Sequence, residues 1–235
     1  MRHLLLAAAS LLALGAASQA QAAPELAARI FQDGTLIPGT SSTSSSGSLL
    51  ITGSSANFSI VSALAIGFPQ VAQPALDVQT TSVSSMGNFA ASHTVTFEVT
   101  QTGLTSASAG APLAALASSF TANFLINGAA ISNVTLSTYA DAGDAAFGRG
   151  QLLSSVTYNS GPTNASGALV SNPTLNNSLF SETVVITATF SAAGAALNAS
   201  SQIVAVPEPA SLALFGIGLL GMGLVRNRKS TKPLA

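Results

Sequence analysis

Short segments in which apolar side chains alternate with Thr or Ser most constrain the fold of this 235-residue chain. In Thr94–Thr100, Val95, Phe97 and Val99 share one face, and the threonines and Glu98 share the other. A period of two is typical of a strand with one face in a core and the other turned to water. The pattern therefore predicts a half-buried strand of an antiparallel sheet.

Comparable runs recur along the chain and predict the architecture. The other segments predicted as strands are Ala27–Gln32, Leu49–Thr52, Phe58–Ile66, Leu76–Ser84, Phe120–Ile126, Val134–Tyr139, Leu152–Tyr158, Phe180–Phe190 and Ser201–Val206. A helix stays open as the alternative for Phe58–Ile66, which is apolar on both alternating faces. About ten short strands with few helices predict an all-β body, an antiparallel β-sandwich or jelly roll. Within Phe180–Phe190, the even-numbered side chains from Val184 onward are expected inward.

The connections between these strands are predicted from turn chemistry. Thr40–Ser48 and Asn159–Asn177 are rich in Ser, Gly, Asn or Pro and are predicted as loops. Pro112–Ser118 is predicted as one short helix, with proline in its first turn. Asn127 and Gly128 favour a type I′ turn, so Phe120–Ile126 and Val134–Tyr139 are predicted to pair as a hairpin.

The first 22 residues are predicted as a signal peptide. Arg2 precedes an apolar run that is too short to span a bilayer, and Ala20-Gln21-Ala22 forms an A-x-A cleavage site. The mature chain is therefore expected to begin at Ala23 after cleavage by signal peptidase. Because the chain contains no cysteine, the body at 23–205 must be stabilised by its apolar core and not by disulfides.

Three features follow one another in a fixed order at 206–229. Pro207-Glu208-Pro209 is expected to be an exposed, non-helical strap, since proline fixes its own φ and restricts the residue before it. Ala210–Val225 carries no charge and would form a helix about 24 Å long, which is predicted to cross the membrane. The basic cluster Arg226, Arg228 and Lys229 is expected on the cytoplasmic side, with the body outside and residues 230–235 as a tail.

This order of strap, glycine-rich span and basic end resembles the PEP-CTERM sorting signal, also called the ice-binding protein C-terminal domain. The resemblance covers only the end of the chain and implies nothing about ice binding. It implies a substrate of an exosortase, which cuts near the Pro-Glu-Pro motif in Gram-negative bacteria that make extracellular polysaccharide. Asn227 departs from the usual unbroken arginine run without changing the charge pattern.

The charges of the body disfavour nucleic acid as a partner. Between residues 23 and 206 there are seven acids and two bases, which gives a formal net charge of −5. So few cations cannot neutralise many phosphates. The acids are Glu25, Asp33, Asp77, Glu98, Asp141, Asp144 and Glu182, and the bases are Arg29 and Arg149.

Candidate chemistry within the body is sparse. Asp141 and Asp144 lie in a glycine-containing segment and could hold calcium, although their spacing does not fit an EF-hand loop; otherwise they form a solvated turn in which Arg149 pairs with one acid. His93 is the sole histidine of the body and precedes a strand, without a G-x-S-x-G motif. No catalytic residue, cofactor or other metal ligand is predicted.

The function expected from the sequence is that of an exported protein with no catalytic activity. It would pass from a transient membrane anchor to the cell surface or the extracellular polysaccharide, with a structural or adhesive role. Two alternatives remain open. One is a glycan- or calcium-binding module, although the chain lacks tryptophan; the other is a secreted hydrolase.

Overall fold

The computed structural model describes residues 23–159 and 165–206, and these residues form a sandwich of two antiparallel sheets. The strands in chain order are β1 (Glu25–Gln32), β2 (Thr35–Leu36), β3 (Ser42–Ser44), β4 (Ser48–Ser54), β5 (Phe58–Ile66), β6 (Ala75–Ser85), β7 (His93–Thr105), β8 (Leu116–Ile126), β9 (Ile131–Asp141), β10 (Gln151–Asn159), β11 (Ala165–Ser171), β12 (Leu179–Phe190) and β13 (Ala196–Ala205). The prediction of an all-β sandwich is confirmed.

Each sheet is built from strands that are distant in the sequence. Sheet A has the order β10-β9-β12-β7-β1-β2, and β3 also pairs with β1. Sheet B has the order β11-β8-β13-β6-β5-β4. The last strand, β13, therefore lies in the middle of sheet B, between β8 and β6.

The core lies between the two sheets and follows the alternation in the sequence. Val95, Phe97 and Val99 of β7 are at most 3% exposed, as predicted. Val184, Ile186, Ala188 and Phe190 of β12 are likewise buried as predicted. The Phe190 ring packs edge-on against Phe58 of sheet B, with ring centroids 5.2 Å apart. These contacts join the sheets through apolar burial, the main stabilising term in a domain of this kind.

Two segments predicted as loops contain strands. Ser42–Ser44 pairs with Leu26–Ala28, and Ala165–Ser171 pairs with β8. Both are edge strands whose composition resembles that of a loop. Their pairing depends on the exposed edges of β1 and β8, which the local sequence does not reveal.

The predicted helix at Pro112–Ser118 is wrong. The chain forms a 3-10 turn at Ser106–Ala109 instead, and β8 begins at Leu116. From Leu116 the backbone bonds to β13 on one side and to β11 on the other. These ladders, together with the period-two pattern that begins at Leu116, outweigh the helical preference of the alanines.

The predicted hairpin at Asn127-Gly128 is also wrong. Asn127 does adopt a positive φ of 45°, but Gly128–Ala130 forms a 3-10 turn that carries the chain from β8 in sheet B to β9 in sheet A. The alternation in Phe120–Ile126 predicts that Phe120, Ala122, Phe124 and Ile126 point inward. A register shift beside Ile126 instead turns this side chain outward, to 61% exposure. Turn chemistry predicted the positive φ of Asn127 correctly, but Gly128 does not share the positive φ that a type I′ turn requires, and the predicted pairing does not form.

The signal peptide, its cleavage site at Ala20–Ala22, the strap and the uncharged run lie outside the described residues, apart from Ala23. Among the residues that are described, no helix is long and apolar enough to cross a membrane.

Candidate functional site

The outer face of sheet A carries paired hydroxyl groups. Thr94 and Thr189 lie 3.1 Å apart between their Oγ1 atoms, and Thr96 and Thr187 lie 3.3 Å apart. The pairs Thr135–Thr157 and Ser137–Ser155 continue the pattern across β9 and β10, at 2.9 and 2.8 Å. A hydroxyl both donates and accepts hydrogen bonds, so this face can bond the hydroxyl groups of a ligand.

Residues 142–150, which connect β9 to β10, fold back across one end of this face. Asp144 Oδ1 accepts the N–H of Gly103, at 2.7 Å, and Ser181 donates to the carbonyl of Ala145, at 2.7 Å. The connection thereby covers Thr100 and Thr183, which sequence alternation predicted as outward and which are 0% exposed. It forms a wall at one end of the open face.

The connection brings both arginines of the body to a single carboxylate. Arg29 Nε lies 2.6 Å from Glu98 Oε2, and Arg149 Nη2 bonds Glu98 Oε1. The Glu98 side chain is 8% exposed, whereas Arg29 and Arg149 are 36% and 46% exposed. The sequence suggested that Arg149 pairs with Asp141 or Asp144. In the structure Arg149 pairs with Glu98 instead. The cluster of Arg29, Arg149 and Glu98 by itself carries a formal charge of +1.

Aromatic rings hold the two guanidinium groups in place. The Arg29 guanidinium carbon lies 3.9 Å from the centroid of the Phe147 ring and 5.3 Å from that of Phe31. The guanidinium carbon of Arg149 lies 5.6 Å from the centroid of Tyr139. Phe147 has a positive φ of 58°, which is uncommon for a bulky residue and indicates that its position is imposed by the fold.

A groove of about 350 Å³ lies between the wall and the hydroxyl pairs. It is lined by Phe31, Gly34, Thr96, Glu98, Arg149, Val185 and Thr187. The lining combines an aromatic ring, hydroxyl groups and a charged cluster on rigid strands. This open polar groove suits an extended ligand that carries many hydroxyl groups.

Asp141 and Asp144, the candidate calcium ligands, lie close together and organise the wall. Asp141 Oδ1 accepts the N–H of Gly143 at 2.6 Å, and a Cβ on Gly148 would collide with the Asp141 carboxylate. Burial raises the pKa of Asp144, and the neighbouring charge of Asp141 raises it further, although the bond from Gly103 lowers it. Among the residues described, no group of three or more His, Cys, Asp and Glu side chains could hold a metal.

His93 lies at the opposite end of sheet A. Its Nδ1 is 2.7 Å from Asp33 Oδ2, and its ring packs edge-on against Phe89. Burial alone would raise the pKa of Asp33, but the bonds from the Thr94 N–H and from His93 hold that pKa below its usual value. The pair fastens the β1–β2 turn to the start of β7.

A second cavity, of about 410 Å³, lies beside that turn. It is formed by the β1–β2 turn, by Ile37 and Pro38, and by the β4–β5 turn at Ser54–Ala56. Its charged lining residue, Asp33, is already bonded to His93. The groove on sheet A therefore has the richer chemistry of the two.

Sequence reasoning did not find the groove. Glu98 was expected on the solvent face of β7, and no partner was expected for Arg29. The signal in the sequence was that the body has only two basic residues, Arg29 and Arg149, which lie far apart in the chain. Residues of so rare a type are candidates for a specific contact. Phe147 carried no signal that could be read from the sequence.

The fold and the groove define an all-β protein, a two-sheet antiparallel sandwich with a polar groove on one outer face. At its C-terminus the chain carries a PEP-CTERM protein-sorting motif, which matches residues 205–229. The motif includes Pro207, Glu208, Pro209 and the cluster Arg226, Arg228 and Lys229, and the resemblance found in the sequence is thereby confirmed. It indicates an exported protein that is processed by an exosortase and sorted to the cell surface.

No curated protein matches the chain. Among solved structures, the carbohydrate-binding module TmCBM61 in complex with beta-1,4-galactotriose is similar at 10% identity and a TM-score of 0.33, over 76% of this chain and 88% of that one. The K1 cleaved adhesin domain of Lys-gingipain from Porphyromonas gingivalis is similar at 12% identity and a TM-score of 0.33, over 69% and 92%. The CBM22-1 xylan-binding domain from Paenibacillus barcinonensis has 12% identity and a TM-score of 0.30, over 70% and 85%. These likenesses do not indicate what this chain binds.

Proposed function

We propose that this exported protein is a non-catalytic adhesive component of the cell surface and the extracellular matrix, and that it holds polysaccharide in the groove of sheet A. The observation that carries the proposal is the convergence of both body arginines on Glu98 in an open groove. Each arginine uses one nitrogen for Glu98, and a guanidinium has five N–H donors. Further donors are therefore available for sugar oxygens.

The composition of the groove supports a glycan over a peptide. The hydroxyl pairs of β7 and β12 run alongside the arginine cluster, and Phe31 supplies an aromatic surface. Since the body lacks tryptophan, Phe31, Phe147 and Tyr139 are the aromatic residues that serve this face. The sorting motif supports delivery to the cell surface, and we propose that extracellular polysaccharide is the ligand the chain meets there.

The experiment measures binding of the full chain, in detergent micelles, to a panel of immobilised polysaccharides. The panel includes a polyuronate and a neutral glucan, each with calcium and with a chelator. We expect Arg149→Ala to weaken binding at least about tenfold, since a hydrogen bond to a charged group contributes about 1.5–3 kcal/mol. Gln202→Ala is the matched control, because Gln202 is exposed on the outer face of sheet B.

Arg149→Ala should still fold, since Arg29 remains bonded to Glu98. Equal affinities for Arg149→Ala and Gln202→Ala would exclude the groove as the binding site. Failure of the wild-type chain to bind any polysaccharide would remove the adhesive proposal. Binding that disappears with the chelator would instead favour calcium held at Asp141 and Asp144.

The absence of catalysis is tested on the same panel. New reducing ends would be measured after prolonged incubation of the polysaccharides with the wild-type chain and with His93→Ala. We expect none above background. Turnover that His93→Ala abolishes would overturn the non-catalytic part of the proposal.

Sorting is tested in the producing cell. Replacing Glu208 by alanine, or deleting residues 226–232, should leave an uncut chain in the membrane, as followed by mass and by fractionation. A normal mass and normal release in both variants would contradict processing at the strap. Neither change touches the described body, so folding is not at issue.

A further inference from the structure

The beginning and the end of the body leave the sandwich at the same end. Glu25, the first residue of β1, pairs with Thr102 near the end of β7. Ala205, the last residue of β13, pairs with Leu116 at the start of β8. The two sheets are aligned at this end, because the backbone N–H of Thr105 donates to the side chain of Gln73 just before β6. A chain anchored at either terminus therefore presents the same end of the body to its anchor.

The C-terminal exit is bonded to the body as far as Val206, the residue before Pro207. The backbone N–H of Val206 donates to the carbonyl of Ala115, at 2.9 Å, and the N–H of Ala205 reaches the carbonyl of Pro74, at 3.3 Å. In the sequence, only residues 207–209 separate Val206 from the uncharged run that begins at Ala210. Three residues span at most about 10 Å. The sequence predicts a helix about 24 Å long for the uncharged run that begins at Ala210, which is shorter than a bilayer core of about 30 Å. A span shorter than the core would draw the attached body closer to the lipid.

The surface at this end suits close approach to lipid. Three of the segments that form it, 67–74, 106–115 and 171–178, contain no charged residue, whereas Glu25 and the β9–β10 connection with Asp144 lie at the sheet A side of the same end. These three segments can lie against headgroups without stripping water from ions. Leu113, two residues before Ala115, is 78% exposed, the highest value among the large apolar side chains that the structure describes.

A further exposed apolar side chain, that of Val170, lies near Leu113. The Asn172 amide donates to the carbonyl of Ala114, at 3.3 Å, which joins the end of β11 to this segment. Val170 of β11 is 61% exposed. Ser171 also donates to the carbonyl of Leu153, which places the start of β10 beside the end of β11. The apolar side chains therefore lie on one margin of the end at which β13 leaves the body.

We propose that this end of the sandwich rests on the bilayer surface while the chain is anchored, with Leu113 among the lipid headgroups, and that the short strap holds it there. The proposal rests on the sorting part of the proposed function. It orients the sandwich so that both termini face the membrane and the turn at Asn127–Ala130 points away from it. It also keeps the cleavage segment against the lipid surface at which a membrane protease works.

The test uses the absence of cysteine from the chain. Single variants Leu113→Cys and Ala129→Cys of the full chain carry an environment-sensitive fluorophore and are placed in phosphatidylcholine nanodiscs with nitroxide-headgroup lipids. Ala129 is exposed in the turn at the opposite end of the sandwich and is the matched control. We expect the label at 113 to lose most of its fluorescence and to shift to the blue, and the label at 129 to do neither.

A third variant inserts ten Gly and Ser residues after Val206 in the Leu113→Cys chain. Quenching at position 113 should fall toward the value at position 129, because the longer strap releases the body. Quenching that stays unchanged would show that the strap does not hold this end, and equal quenching at 113 and 129 in the original chain would overturn the orientation. Either failure leaves polysaccharide binding intact, since the groove lies on the outer face of sheet A.

Discussion

Replacing Glu182 by glutamine removes a carboxyl group that lies wholly inside the sandwich. Glu182 is 0% exposed and points between the sheets, opposite Gln101 and Ala140 on the neighbouring strands. Neither of its carboxyl oxygens has a hydrogen-bond partner in the described residues. Burial raises the pKa of Glu182 from 4.5 to about 8, because the charged form is poorly solvated there.

The sign of the resulting pH dependence follows from proton linkage. The folded state keeps the proton of Glu182 up to about pH 8, whereas the unfolded chain releases it near pH 4.5. The stabilisation is therefore complete below the unfolded pKa and is lost as the pH rises through the folded pKa. Between pH 5 and pH 8 the free energy of unfolding should fall by roughly 3 to 4 kcal/mol through this group.

The assay is urea denaturation of wild type and Glu182→Gln at intervals across this pH range, followed by circular dichroism. The variant should lack the fall of roughly 3 to 4 kcal/mol and should be more stable than wild type at pH 8. Glu25→Gln, at an exposed position on β1, is the control and should keep the wild-type slope. Parallel curves for wild type and Glu182→Gln would refute the assignment of a buried, neutral Glu182.

Other predictions concern packing and turns. Gly47→Ala should destabilise the body by at least about 1 kcal/mol more than Gly39→Ala. Both glycines have φ near +80°, but a Cβ at Gly47 would lie 2.7 Å from the backbone nitrogen of Pro69 in the β5–β6 connection, whereas a Cβ at Gly39 would meet nothing within 4 Å. Phe190→Ala should cost about 3–5 kcal/mol in urea denaturation, whereas Leu113→Ala, at 78% exposure, should change little. Asp33→Asn should remove the loss of stability that wild type shows as the pH falls through the lowered pKa of Asp33, as measured by thermal unfolding in acid.

The cluster of Arg29, Arg149 and Glu98 is better explained by a role in the groove than by a contribution to folding stability. A partly exposed salt bridge adds little to the free energy of folding, and Arg29 and Arg149 are each more than a third exposed. The guanidinium groups nevertheless pack against Phe147 and Tyr139 only because the β9–β10 connection is ordered. That connection holds two non-glycine residues, Asp144 and Phe147, at an unfavourable positive φ. Such strain is typical of functional loops.

The sequence by itself determined the class of fold and the destination of the chain. Alternation of apolar and hydroxyl side chains requires a face toward a core, so β5 and β12 were predicted nearly to their bounds, and of β7 the part from Thr94 to Thr100 was predicted. The order of strap, uncharged run and basic cluster is contiguous in the chain, and the motif match confirmed it without any fold. Both kinds of signal are local, which is why a sequence can carry them.

Only the tertiary structure decided which strands meet and what their meeting creates. Asn127 has the backbone angle that its turn chemistry predicts, yet β8 and β9 belong to different sheets, because pairing is set by competition among distant strands. Glu98 lies 69 residues from Arg29 and 51 from Arg149, so the groove arises when β1, β7 and the β9–β10 connection come together. Contacts over such separations depend on sheet order and register, and no local pattern of residue types contains that information.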